Sequence, residues 1–161
     1  MPSTRKIAFS SVIIALYVVM MYFTSSFAFG QYQVRIATSL YALGAIYPFL
    51  IIPLGLANML SNMILGGLGI FDILGGFLVG LITTAAAYLV SKLHLNDVFV
   101  GAALVLGPGL IVPIWLSRIL KVPYTILAAS LCIGQVLPAI IGVIIVKQLR
   151  ETLSKNKIGR F

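Results

Sequence analysis

Apolar residues run in long blocks along this chain, separated by short polar or glycine-rich connections. The first block, residues 7–29, follows Arg5 and Lys6 and exceeds the roughly 20 apolar residues that cross a bilayer. A signal peptide has a shorter apolar region and a small-residue cleavage site, whereas this run is long enough to cross. GQYQVR at 30–35 closes it. Residues 36–65 would reach about 45 Å as one helix, against a hydrocarbon core of about 30 Å. Pro48 and Pro53 interrupt that block and Gly55 follows, which predicts two short spans, 36–52 and 54–66, turning near Pro53. The glycine-rich run 66–69 is expected to turn into a fourth span, 70–91. KLHLND at 92–97 is the clearest polar connection. A fifth span, 98–116, carries Gly107, Pro108, Gly109 and Pro113, RILKVP at 118–123 reads as a short connection, and 124–146 forms the sixth.

Composition carries this pattern to a class. Of 161 residues, 61% are hydrophobic and 9% charged, where a soluble domain has about 45–50% and about 25%. Such a chain cannot cover a water-exposed surface, which argues against a soluble enzyme, a nucleic-acid-binding domain and a disordered regulator. The expectation is one all-α integral membrane domain over 1–161, with no room for a soluble ATPase. Its net charge of +8 tests the span count. Six spans with a cytoplasmic N-terminus put Arg5, Lys6, Lys92, Lys147, Arg150, Lys155, Lys157 and Arg160 inside, leaving Arg35, Arg118 and Lys121 outside. Merging 36–65 into one span would leave only Arg5, Lys6, Arg118 and Lys121 inside. The positive-inside rule favours six spans with both termini cytoplasmic. No strong internal repeat is visible.

No Ser/His/Asp set, carboxylate pair, metal-binding spacing or phosphate-cradling loop is present, so no enzyme, cofactor or metal is expected. Cys132 stands alone, and His94 reads as a solvated loop residue. The informative groups are polar residues in apolar surroundings, because each needs a partner or a ligand. Asp72, one of three acidic residues, admits two readings: an N-cap near the interface, or a carboxylate facing a binding cavity. Gln31, Gln33, Arg35 and Arg118 fall on the same outer side, with Trp115 and Tyr124 at that level. Asn58 and Asn62 share a helix face with Ser61 close by, and read either as interhelical glue or as ligand contacts. Gln135 lies deep in the sixth span. Ser11 and Ala15 form a small-xxx-small pair near Ala8 on the first helix, a face flat enough to dock another helix.

The segments QVRIATSL at 33–40, SNMILGGLGIFDILGG at 61–76 and CIGQ at 132–135 resemble the substrate-binding S-components of energy-coupling factor (ECF) transporters, most closely those of the QueT, or queuosine-precursor, type. That pattern has Gln-x-Arg-Ile-Ser-Glu-Ala-Leu after the first span, Ala-Asn-Leu before a glycine turn and Asp-Ile-x-x-Gly, and Gly-Glu in the last span. Arg35, Asn62, Asp72, Gly76 and Gly134 correspond to it. Two departures remove a charge: Thr38 and Gln135 stand where the pattern has glutamates. The resemblance, covering nearly the whole chain, implies capture of a deazaguanine-type base outside the cell, with Arg35, Thr38, Asn62, Asp72 and Gln135 at the site. It implies a bundle of S-component type in a prokaryotic plasma membrane, a membrane coupling subunit docked on Ala8, Ser11 and Ala15, and two cytosolic ATPases that drive uptake. Losing two carboxylates points to a ligand with less positive charge than the aminomethyl form. Beside this stand an S-component for another vitamin-like or nucleobase-like molecule, a ligand-free membrane assembly protein and a self-sufficient channel.

Overall fold

The computed structural model describes residues 3–30, 32–66 and 68–155; Gln31, Gly67, Lys157 and Arg160 lie outside them. The described residues are helical, with no strand among them. α1 (Ser3–Phe23) leads through the single turn α2 (Ser25–Ala28) and a loop into a 3₁₀ helix, Ile36–Ala45. A second 3₁₀ turn, Pro48–Leu50, opens α3 (Ile51–Ser61), which ends in a π-helical turn, Asn62–Gly66. Then follow α4 (Ile70–Lys92), α5 (Val98–Ile111), α6 (Pro113–Leu120) and α7 (Tyr124–Lys155). Among the described residues, five helical segments are long and apolar enough to cross a membrane: Ser3–Phe23, Pro48–Gly66, Ile70–Lys92, Val98–Leu120 and Tyr124–Lys155.

The block read as two spans turning at Pro53 is built differently. The helical path breaks at Ile46–Tyr47, because Pro48 forces Tyr47 out of the α region to φ −122°, ψ 82°. Pro53 sits in the first turn of α3, where its missing N–H leaves no bond unmade. Ahead of the break, the 3₁₀ helix is buried from Ala37 to Ala45 and packs against α1, α4, α5 and α7. Ten residues at about 2.0 Å each reach about 20 Å, a third farther than in an α-helix. Small residues (Ala37, Ala42, Gly44, Ala45) let this slender segment run between larger helices. The 118–123 connection also contracts: α6 continues to Leu120, and Lys121 ends it at a left-handed φ of 55°. The last helix runs nine residues beyond the expected 146, so Lys147, Arg150 and Lys155 are helical.

Contacts define two ends. At one, Lys6 lies over Phe49, Phe9 packs on Tyr47, and Arg150 pairs with Asp97 at 3.2 Å while donating to Ser91 Oγ. The start of α1, the start of α3, the end of α4 and the end of α7 therefore meet there. The other end collects the 29–35 loop, the π turn, the start of α4, α6 and the start of α7. Polarity is inverted relative to a soluble protein. Phe23, Phe71, Ile133 and Ile140 point outwards, while Arg35, Asp72 and Gln135 are buried. An apolar exterior around a polar interior is stable only when hydrocarbon replaces water outside. The chain is a multi-pass membrane protein.

Candidate functional site

Arg35 leaves the loop and enters the bundle at 5% exposure. Burying a guanidinium demands an acceptor for its donors, and the chain supplies four contacts. Nε donates to the Ala28 carbonyl at 3.3 Å. Nη1 donates to Asn58 Oδ1 at 3.2 Å and Asn62 Oδ1 at 3.1 Å, and the guanidinium carbon lies 4.9 Å from the Phe29 ring centroid. The i, i+4 spacing of the two asparagines aims both carbonyls at one cation. Their amide nitrogens turn to the next helix, Asn58 Nδ2 donating to the Gly76 carbonyl at 2.8 Å and Asn62 Nδ2 to the Asp72 carbonyl at 2.9 Å. The pair thus couples Arg35 to the first turns of α4. Below it, Tyr17 and Tyr41 are fully buried, stacked with hydroxyls 3.0 Å apart.

Asp72 is 2% exposed and does not cap its helix. Gly69 occupies the N-cap with φ 88°, and no side-chain cap bond forms. The carboxylate still gains from the positive end of the α4 dipole. Its Oδ1 accepts a hydrogen bond from Trp115 Nε1 at 3.3 Å, while Oδ2 is buried without a partner. Oδ2 lies on the side of Gly66 and Phe29: a Cβ built at Gly66 would stand 3.2 Å from it and 3.3 Å from the Phe29 ring. Among the described residues the ion pair within 4 Å is Arg150–Asp97; Arg35 reaches Asp72 only through the Asn62 amide.

Thr38 and Gln135 form a second unit. Thr38 Oγ1 lies 2.7 Å from both Gln135 Oε1 and the Arg35 carbonyl, so one hydroxyl proton serves two acceptors. Gln135 Nε2 donates to the Gln33 carbonyl at 3.0 Å. Gln33 itself adopts φ 44°, a left-handed conformation unusual for a side-chain-bearing residue. These bonds strap the loop onto α7, and Gly134 makes the approach possible: a Cβ there would overlap the Tyr32 carbonyl. Both ends of the Gln135 amide are therefore engaged by protein.

The five residues expected at the site lie at one end of the bundle in these two adjoining units. Arg118, expected near Asp72, is exposed and outside the cluster. Tyr124 is 41% exposed and donates to the Leu110 carbonyl at 2.9 Å. Ala8, Ser11 and Ala15 are all exposed on the outer face of α1, with the Ser11 hydroxyl returned to the Ile7 carbonyl at 3.0 Å. Nothing in the apolar segments around Tyr17 and Tyr41 marks two hydroxyls that meet across helices. Beside the cluster lies a cavity of about 330 Å³, near the lower bound for small-molecule sites. Phe29, Gln33, Leu116, Leu127 and Leu131 are among its walls. A larger one, about 630 Å³, lies at the opposite end against Tyr88, Lys92, His94 and Arg150, remote from every expected ligand residue. Among the described residues no three His, Cys, Asp or Glu side chains gather as a metal site.

The model of one family, described as QueT transporter, matches residues 7–151, all but six residues at the start and ten at the end. The chain belongs to the QueT transporter family. No curated protein and no solved structure matches it. The family resemblance carried by 33–40, 61–76 and 132–135 is thereby established over residues 7–151. Membership in the QueT transporter family implies a transporter, which accords with the chain's apolar exterior.

Proposed function

We propose that this chain is the S-component of an ECF-type importer, binding a deazaguanine-type queuosine precursor on the outer side of a prokaryotic plasma membrane. The observation that carries this reading is the Asp72 carboxylate, 2% exposed, with one oxygen unpartnered beside a cavity-lining phenyl ring. A buried charge with an unused acceptor is costly unless something fills it. A guanine-like edge presents a ring N–H and an amino group side by side, which is the donor pair that a carboxylate accepts. Arg35 keeps the site electrically balanced, which favours a base without added positive charge.

On this reading the chain crosses the bilayer six times, with the 3₁₀ helix as the short second crossing and both termini cytoplasmic. The basic end, with Lys6, Lys92 and Arg150, then faces the cytosol, as the positive-inside rule requires. The exposed face of Ala8, Ser11 and Ala15 docks the membrane coupling subunit, and two cytosolic ATPases supply the energy for inward release. Native mass spectrometry of the purified protein, followed by calorimetry with 7-deazaguanine bases, tests this. The expected results are a retained deazapurine and a loss of affinity of about 10-fold or more in Asp72→Asn, since a hydrogen bond to a charged group contributes about 1.5–3 kcal/mol. Unchanged affinity in that variant would remove Asp72 from the site. A retained vitamin would overturn the substrate but leave the transporter class standing.

A further inference from the structure

The donor on Asp72 Oδ1 belongs to the chain's single tryptophan. Trp115 sits on α6, an eight-residue helix set off from α5 by Pro113. At 3.3 Å its N–H···O contact is longer than a typical N–H···O bond of about 2.9–3.0 Å. The indole is seated by the absence of a side chain at Gly75, one turn along α4 from Asp72. A Cβ there would stand 2.7 Å from Trp115 Cε2 and 2.8 Å from Cη2. The next residue, Leu116, is a wall of the 330 Å³ cavity, whereas neither Asp72 nor Trp115 lines it. The carboxylate is therefore closed off in this conformation, with one oxygen occupied by a long, weak bond and the other empty.

From this we propose, building on the binding reading above, that Trp115 is a specificity-determining residue whose indole N–H holds the place of the ligand's second donor. A ligand with two adjacent donors fills Oδ2 and displaces the indole from Oδ1. A ligand with one donor uses Oδ2 alone and leaves the indole where it is. The indole thereby narrows the site's preference for guanine-like over hypoxanthine-like edges, which differ by the one amino group. Displacement costs the ligand the bond between Trp115 Nε1 and Asp72 Oδ1. It moves the indole out of contact with a carboxylate, which the emission of a lone tryptophan reports.

Steady-state fluorescence of the full-length protein, titrated with 7-deazaguanine and with 7-deazahypoxanthine alongside calorimetry, tests the proposal. The expected result is a change in emission that saturates with 7-deazaguanine at its calorimetric Kd, and none with 7-deazahypoxanthine. Trp115→Phe keeps the ring and removes the N–H. It should tighten 7-deazaguanine binding about 2- to 10-fold, because no internal bond is broken first, and change 7-deazahypoxanthine binding less than twofold. Gly75→Ala crowds the indole off its seat and should tighten 7-deazaguanine binding in the same direction, giving a second test should Trp115→Phe not fold. Calorimetric binding of 7-deazaguanine without a change in emission, or weaker binding in both variants, would overturn the role of Trp115 and leave the substrate reading intact. Absence of calorimetric binding by wild type would instead remove the substrate reading, and this inference with it.

Discussion

Thr38 and Gln135, 97 residues apart in the chain, meet at 2.7 Å between Oγ1 and Oε1. These are the two positions at which the resemblance to QueT-type S-components would put glutamates. On that resemblance the two departures meet in space, a hydroxyl and an amide standing at one buried contact where two acids would. Two carboxylates so close could not both stay ionised without a cation between them. The neutral pair removes that requirement and uses its hydrogen bonds on the loop, holding Gln33 and the Arg35 carbonyl against α7.

Restoring both acids should change the ligand. In Thr38→Glu with Gln135→Glu the contact needs a cation, so binding of an aminomethyl deazaguanine relative to the uncharged base should rise about 10-fold or more. Competition calorimetry of the two ligands against wild type and the double variant measures the ratio. A ratio that stays put would mean that the pair does not face the ligand.

Arg35→Lys tests whether the guanidinium acts as a fork. Lysine cannot serve Asn58, Asn62 and Ala28 from one plane, nor lie flat on Phe29. With hydrogen bonds to a charged group contributing about 1.5–3 kcal/mol each, both the melting temperature in detergent and ligand affinity should fall. Loss of affinity by 10-fold or more is expected, and a lysine variant with wild-type melting and binding would contradict the fork.

Gly134→Ala probes the strap between loop and last helix. The added methyl overlaps the Tyr32 carbonyl, and overpacking of this kind costs about 1–3 kcal/mol. The loop should lift from α7, shown by faster proteolysis between 29 and 35 and weaker ligand binding. Equal proteolysis rates would show that α7 yields instead.

The outer face of α1 separates binding from assembly. Ala8, Ser11 and Ala15 are exposed, whereas Arg35 and Asp72 are buried, so Ser11→Leu with Ala15→Leu should leave ligand affinity unchanged. Helix docking through small residues depends on close backbone approach. Co-purification with the coupling subunit and ATPases should therefore drop, and with it uptake into cells. Retained assembly would assign docking to another face.

The sequence by itself determined the membrane class, the all-helical build, the apolar blocks that became the long helices, and the family, because each rests on local hydropathy or on short motifs. Asp72 and Asn62 were legible for the same reason: an ionisable or amide group in an apolar run stands out without knowledge of its neighbours. The 36–52 segment was not legible in detail. Its 3₁₀ form answers to the helices packed around it, and the break before Pro48 could be told from one at Pro53 only when α3 was seen to begin between them. Tertiary structure alone decided the partners. Asn58 and Asn62 share Arg35, Trp115 covers Asp72, and Thr38 reaches Gln135, because hydrogen bonds between distant segments depend on how those segments pack, and hydropathy along a chain holds no record of that.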